Sequence, residues 1–502
     1  MRIRLPRFVG EWVVAERHGE VAIKVRLRLG ELLIRSKLAT TEQVSDALAR
    51  QSADGGRLGE TLVSMGVLRR EELDAFVNRI PVEPSDIEAT GISANELLAG
   101  LMKQIYTSKL ESVREFTVAS KLPLSIVLGL VRMAVGRKLL VATGTTTSYN
   151  AQNTTYMLTE EGRRWTVDAL DQLRYAGPAP VTLTAYSEQV GLQKLTNDSV
   201  TRERIREAFG GMVFDEEVLE QVGPALNSGR AILLYGPPGN GKTSVALAMA
   251  SLFSDVIYVP YAVTVDGQII VVFDPTIHAT VDDDELLAPV SHDDLDRRWV
   301  PCKRPFVVAG GELTLETVDL SYDASAHFYN APMPMKATGG CFVVDDFGRQ
   351  KVSPLQLLNR WIVPLENRFD FLKLHTGKSF SVPFDELVIF STNLDPESFI
   401  DVAFLRRLPY KIRIGAPSLR EYKTIFMREC APHGLTLSDA VFDAIVKAIT
   451  EELGMALAGF QPKFIVEQVL VMCRFLGVPA RLEEPYVAAA MRNLSVKRVG
   501  QG

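Results

Sequence analysis

The sequence predicts a multidomain protein: a small helical tandem-repeat unit, a three-helix unit with a two-stranded hairpin, an α/β P-loop core and a C-terminal helical lid. Three observations carry this expectation. A segment near the N-terminus recurs in fixed register, the apolar run Ala231 to Tyr235 leads straight into Gly-Pro-Pro-Gly-Asn-Gly-Lys-Thr, and after Pro417 the apolar spacing becomes wholly helical. At 502 residues the chain exceeds what one core can hold, and the boundaries fall at 1–90, 91–176, a linker over 177–200, 201–416 and 417–502.

Composition narrows the function. A net charge of −6 excludes a protein whose whole surface binds nucleic acid. No apolar stretch reaches the roughly 20 residues that span a bilayer, and the N-terminus lacks a signal-peptide pattern, so a cytoplasmic site of action is expected. Cys302, Cys341, Cys430 and Cys473 lie far apart without a Cys-x-x-Cys pair, which predicts reduced core residues.

Arg28-Leu29-Gly30-Glu31 returns as Arg57-Leu58-Gly59-Glu60, 29 positions later, and the register continues through Leu33 and Leu62, Val44 and Leu73, Arg50 and Arg79. Each copy reads as a short helix, a turn and a second amphipathic helix, joined over Ser52 to Gly56. This tandem resembles the MshEN-type domain of type II secretion and pilus-extension ATPases. The resemblance implies a cyclic di-GMP site built from Arg28, Leu29, Gly30, Leu33 and Gln51 of one copy and Arg57, Leu58, Gly59 and Leu62 of the other. Arginine can stack on guanine and bond its edge, glycine admits close backbone approach, and the leucines would form an apolar shelf. The copies differ where Lys37 faces Gly66 and Gln51 faces Ile80.

Helical patterns over Glu96 to Leu110, Ser112 to Lys121 and Leu124 to Val135 precede strand patterns at Leu139 to Thr145 and Thr154 to Leu158, and Thr159 can cap a last helix. This order resembles a winged-helix domain. The third helix is largely apolar with Arg132 the one strong base-reading side chain, so protein contact is favoured over DNA. Pro178 and Pro180 with the polar residues to about Thr201 read as a linker.

The glycine-rich turn Gly236, Pro237, Pro238, Gly239, Asn240, Gly241, Lys242, Thr243, with Ser244 opening the next helix, has the pattern that wraps polyphosphate in backbone N–H groups. Lys242 would reach the β- and γ-phosphates of ATP and Thr243 would bind magnesium. A second buried strand, Cys341 to Val344, ends in Asp345-Asp346: Asp345 suits the magnesium site and Asp346 suits orientation of the attacking water. A third, Val388 to Thr392, carries Asn393 at its tip, where an amide can bond the γ-phosphate or that water. Arg406 and Arg407 follow.

From near Phe209 to the C-terminus this order of motifs resembles the AAA+ ATPases. The resemblance implies a homo-oligomeric, hexameric ring, Arg406 and Arg407 acting across a subunit boundary, and Lys463 at the place of a lid sensor. Two departures stand out. Asp346 replaces the usual glutamate, and the 103 positions from Lys242 to Asp345 imply an insertion. Within it Ala262 to Phe273 reads as a hairpin turning at Asp266-Gly267, suited to line a pore or face a client, and the acidic residues Asp282 to Glu285 and Asp293 to Asp296 read as solvated loop. The expected activity is ATP hydrolysis driving remodelling of a protein client under cyclic di-GMP control. A type II secretion or pilus motor and an ATP-switched DNA-binding regulator are the alternatives.

Overall fold

The computed structural model describes residues 33–34, 38–54, 58–70, 72–73, 79–145, 154–197, 199–253, 255–281, 295–398, 400 and 402–494. The chain combines helical units with a parallel α/β core. The repeat unit contains α1 (Thr41–Asp54) and α2 (Leu58–Ser64). Its duplication is written in hydrogen bonds: Leu38 and Ala39 N–H both donate to Leu33 O (2.8 and 3.2 Å), as Val67 and Leu68 N–H do to Leu62 O (3.0 and 3.4 Å). The caps repeat too, Thr40 N–H to Gln43 Oε1 at 2.8 Å and Arg69 N–H to Glu72 Oε2 at 3.0 Å. Helix α1 runs through Asp54, so the joint between copies is shorter than expected. Leu33 and Leu62 are fully buried and share a core with Val44, Leu58, Leu73 and, from the distant insertion, Val281.

The middle unit follows the predicted order: α3 (Ala94–Ser108), α4 (Val113–Ser120), α5 (Leu124–Gly136), antiparallel β1 (Leu140–Thr145) and β2 (Thr154–Leu158), and α6 (Glu160–Gln172). Ser93 with Glu96 and Ser112 with Glu115 form capping boxes, and Thr159 Oγ1 accepts Gly162 N–H at 2.9 Å. Helix α5 buries Ile126, Val127, Leu130, Val131 and Ala134, while exposed Arg132 bonds its own helix at Leu128 O.

The expected linker is a structural element. Val181–Thr182 is a strand, β3, and Leu183–Leu192 a helix, α7. The helix buries Tyr186, Gln189 and Val190, and Gln193 just beyond it bonds both Tyr258 N–H and Tyr258 O, taking the place of a neighbouring strand. Pro178 and Pro180 only mark the entry into these elements.

The core begins with α8 (Arg202–Ala208) and α9 (Glu216–Ser228), then β4 (Ile232–Tyr235) and α10 (Lys242–Ser251). The insertion contributes β5 (Val256–Pro260), β6 (Ala262–Val265), β7 (Gln268–Val271) and β8 (Trp299–Lys303), and β9 (Phe306–Ala309) returns to the core. Strands β10 (Ser321–Asp323) and β11 (Phe328–Asn330), helix α11 (Met333–Ala337) and strand β12 (Cys341–Val344) follow. Next come α12 (Pro354–Asn367), the hairpin β13 (Phe369–Lys373) and β14 (Ser379–Pro383), β15 (Leu387–Thr392), α13 (Val402–Leu405) and β16 (Tyr410–Arg413). The main sheet has the order β16-β4-β15-β12-β9, every pairing parallel. Its strands read as nearly unbroken apolar runs because both faces are covered, one by a core around Val245 and Met249, the other around Trp361 and Phe342.

A second sheet, β10-β11-β7-β6-β3, is built on the insertion. The hairpin prediction holds: β6 and β7 pair antiparallel about Asp266 and Gly267, whose φ values of 50° and 75° are those of a type I′ turn. The tip does not project freely, however. It packs on the middle unit, beside Glu96. Of the acidic patch, residues 282–294 lie outside the described residues, but Asp296 is buried and ion-paired with Arg298 at 2.8 Å, so it is not solvated loop. Helices α14 (Leu419–Cys430), α15 (Asp439–Lys447), α16 (Phe460–Leu476) and α17 (Glu484–Leu494) form the lid around Tyr422, Phe426 and Ile465. All four cysteines are buried and free. Among the described residues no single helix is long and apolar enough to cross a membrane.

Candidate active site

Three buried parallel strands end side by side, and their C-terminal tips assemble the site. From β4 the chain enters the P-loop with Gly236 at φ 140° and Gly239 at φ 78°. A Cβ on Gly236 would stand 2.2 Å from Ile414 O, and one on Gly239 would stand 2.4 Å from the Phe460 ring. Close approach of β16 and of the lid therefore demands glycine at both positions. Helix α10 starts at Lys242 and directs its N-terminal dipole at the loop.

Lys242 is buried, and its Nζ donates to Gly236 O (3.0 Å), Pro237 O (2.9 Å) and Asn393 Oδ1 (2.6 Å). Burial draws the ammonium below the usual lysine range while Asp345 and Asp346 oppose that shift. Asn393, at the end of β15, passes the contact on, its Nδ2 donating to Asp346 Oδ1 at 2.7 Å. A continuous chain thus runs Lys242, Asn393, Asp346. Beside it Thr243 Oγ1 donates to Asp345 Oδ2 at 3.0 Å.

That oxygen pair tests the fit of magnesium. A hydroxyl and a carboxylate are hard donors, and two neighbouring ligands of an octahedron with arms of about 2.1 Å lie about 3 Å apart, the separation seen here. Magnesium takes one or two such protein ligands, with waters and phosphate oxygens completing the shell.

The carboxylate turn is rigidly held by residues that the sequence did not single out. Asp346 adopts a left-handed φ of 49°, its N–H donates to Asp345 Oδ1 (3.0 Å), and Gln350 Nε2 bonds Asp345 O (2.8 Å) and Asp346 O (3.2 Å). From β15, Ser391 O accepts Phe347 N–H and Thr392 Oγ1 donates to Phe347 O, both at 2.7 Å. The lid closes on the loop through Gly459 N–H to Asn240 Oδ1 (3.0 Å) and Phe460 N–H to Gly239 O (2.9 Å), and Arg428 Nη1 bonds Gly210 O and Met212 O. The contacts from β15, the lid and Arg428 are long-range and leave no local pattern. Thr392, one residue before Asn393, had the only positional hint.

Other expected site residues line the mouth of the site or lie away from it. Pro237, Pro238, Thr243 and Ser244 are exposed at the mouth of the loop, and Gly241 caps α10 at φ 84°. Arg406 and Arg407 lie in the turn after α13 rather than on it. Arg407 is tied to Glu366 at 2.5 Å, whereas Arg406 is exposed and has no bond or ion pair among the described residues. Lys463 is solvent-facing, with Glu467 4.0 Å away as its ion partner and no bond to the P-loop.

In the repeat unit, Arg28, Leu29, Gly30 and Arg57 lie outside the described residues. The apolar shelf is corrected: Leu33, Leu58, Gly59 and Leu62 are buried, since the core that the leucines share with Val44, Leu73 and Val281 consumes that surface. Gln51 is half-buried.

Residues 418–493, the lid, match a family described as a domain of unknown function (DUF8689). No curated protein matches the chain. Among solved structures, NtrX from Brucella abortus overlaps 58% of this chain at 14% identity with a TM-score of 0.36. The overlap spans 57% of the NtrX chain, a little over half its length. The Thermotoga maritima RuvB Holliday junction branch migration motor overlaps 57% of this chain and 71% of its own, at 16% identity and a TM-score of 0.32.

Proposed function

We propose that the protein is an AAA+ ATPase that forms a ring and couples ATP hydrolysis to remodelling of a protein client. The observation that carries this reading is the Lys242–Asn393–Asp346 chain with the Thr243–Asp345 pair at its side. Loop N–H groups, the α10 N-terminus and Lys242 supply positive charge for the phosphates, whose oxygens compete for the donors now spent on Gly236 O and Pro237 O. Thr243 and Asp345 would hold magnesium, which when bound offsets phosphate charge. Asp346 accepts a proton from water and Asn393 fixes its carboxylate toward the γ-phosphate position. Arg406, exposed and without a bond among the described residues, is the side chain suited to reach a neighbouring subunit, and Arg407 is the one that holds its turn through Glu366.

Regulation by cyclic di-GMP through the repeat unit belongs to the same proposal. Its support is the duplicated register, and its ligand contacts would come from Arg28 and Arg57 rather than the buried leucines. The middle unit fits protein contact, since α5 turns its apolar residues inward and Arg132 is bonded within its own helix.

The test is complementation. Arg406→Ala and Lys242→Ala proteins should each be inactive alone, and mixing them should restore ATPase activity through sites that combine an intact loop with a neighbour's Arg406. Absence of recovery in demonstrably mixed assemblies refutes the trans arrangement.

A further inference from the structure

A cavity of about 280 Å³ lies between the middle unit and the tip of the β6–β7 hairpin, remote from the P-loop. Its walls are mostly apolar, among them Leu101, Leu173 and Ile269, and three side-chain features give it a chemical character. Gly100 stands in the middle of α3, where alanine would favour the helix, yet a Cβ there meets nothing within 4 Å. Neither packing nor backbone conformation asks for glycine at this position. Its effect is to leave the wall open.

One turn on, Lys103 is only 4% exposed. Its ammonium donates to Leu173 O at 2.9 Å and has no carboxylate partner among the described residues. Burial pulls it down to about 8, so it remains largely charged near neutrality. Neighbouring Gln104 is buried as well; its amide nitrogen bonds Ala119 O and Gly177 O, and Oε1 has no partner among the described residues. Glu96, the one carboxylate on the wall, is engaged at the helix start with Ser93 N–H at 3.3 Å. A buried cation without a counter-ion carries a desolvation cost that an anionic ligand relieves.

We propose that this cavity binds a small organic anion: an aromatic or branched aliphatic carboxylate whose acid group meets Lys103. The volume lies at the low end for small-molecule sites and suits a ligand much smaller than a dinucleotide such as cyclic di-GMP. Two units contribute walls, α3 from the middle unit and Thr264, Gly267 and Ile269 from the insertion between the P-loop and Asp345, so an occupant ties them together.

The experiment uses the full chain and indole-3-acetate as probe, with neutral indole as the control, followed by calorimetry. Saturable binding of indole-3-acetate is expected. Gly100→Leu, which fills the space, should weaken both compounds at least tenfold, and Gly100→Ala should do so less. Lys103→Met should weaken indole-3-acetate by roughly 10- to 150-fold while leaving indole within about a factor of two. Thermal melting and ATPase rate establish that each variant is folded. The proposal is overturned by absence of saturable binding up to about 10 mM, by binding that survives Gly100→Leu in folded protein, or by a Lys103→Met effect equal for both compounds. If Gly100→Leu does not fold, Gly100→Ala and Lys103→Met decide by the same criteria.

Discussion

Replacing Asp346 by asparagine isolates the chemical step. The position has a left-handed φ of 49°, which asparagine adopts more readily than most residues, so the turn survives the change. The backbone bonds from Gln350 to Asp345 O and Asp346 O do not involve the carboxylate, and an amide oxygen can still accept from Asn393. What is lost is the proton acceptor. General-base assistance is worth about 10²- to 10⁴-fold, so kcat should fall by that factor, about 2.7 to 5.5 kcal/mol in barrier. Nucleotide affinity should stay within about threefold, because Lys242, Thr243 and the loop are untouched. Phosphate release measures the first quantity and calorimetry with a non-hydrolysable analogue the second. Because Asn393 acts through Asp346, Asp346→Asn with Asn393→Ala should be no slower than the slower single variant. Turnover within threefold of wild type in an Asp346→Asn protein that binds nucleotide normally would remove Asp346 from the mechanism.

Lys242→Ala should abolish nucleotide binding, read by the same calorimetry; retained affinity would shift the phosphate contact elsewhere. Arg28→Ala or Arg57→Ala should weaken cyclic di-GMP by roughly 10- to 150-fold, and absence of heat with wild type at about 100 µM would leave the repeats as a docking module. Glu386 is buried, no other described residue hydrogen-bonds its carboxylate oxygens, and burial pushes its carboxyl well above the usual range. The folded chain therefore holds this proton more tightly than the unfolded one, and the stabilisation is lost as pH rises from about 4.3 through the folded value. Glu386→Gln should flatten that decline in urea titrations by up to about 1.4 kcal/mol per pH unit, and an unchanged slope refutes it. Asp255 pairs with Arg304 at 2.7 Å where both are buried, so Asp255→Ala should destabilise by about 3 to 5 kcal/mol in the same titration.

Much of this organisation was legible because it is local. The Asp266-Gly267 turn, the cap at Thr159 and the strand-loop-helix at Gly236 to Thr243 each rest on residues adjacent in sequence, and the 29-residue register returned as duplicated hydrogen bonds at Leu33 and Leu62. The linker reading failed because α7 presents Gln189 to its core and Gln193 follows, letters that look solvated until Arg79 O and Tyr258 are seen to satisfy them. The leucine shelf fails for the opposite reason: apolar residues beside Arg28 and Arg57 read as ligand surface, whereas the small unit needs them for its core. Arg428 acts across more than 200 positions of the chain, to Gly210 O and Met212 O, a contact that no spacing encodes.

The two-residue strand β3 carries a consequence for dissecting this protein. It lies parallel to β6 at the margin of the second sheet, with Val181 fully buried and α7 packed behind it. A fragment starting at residue 201 would keep the whole P-loop core and lid yet strip that covering, leaving β6 with unpaired backbone donors and acceptors along an apolar edge. Such a fragment would self-associate edge to edge, and its aggregation would reflect an uncapped sheet rather than ring assembly.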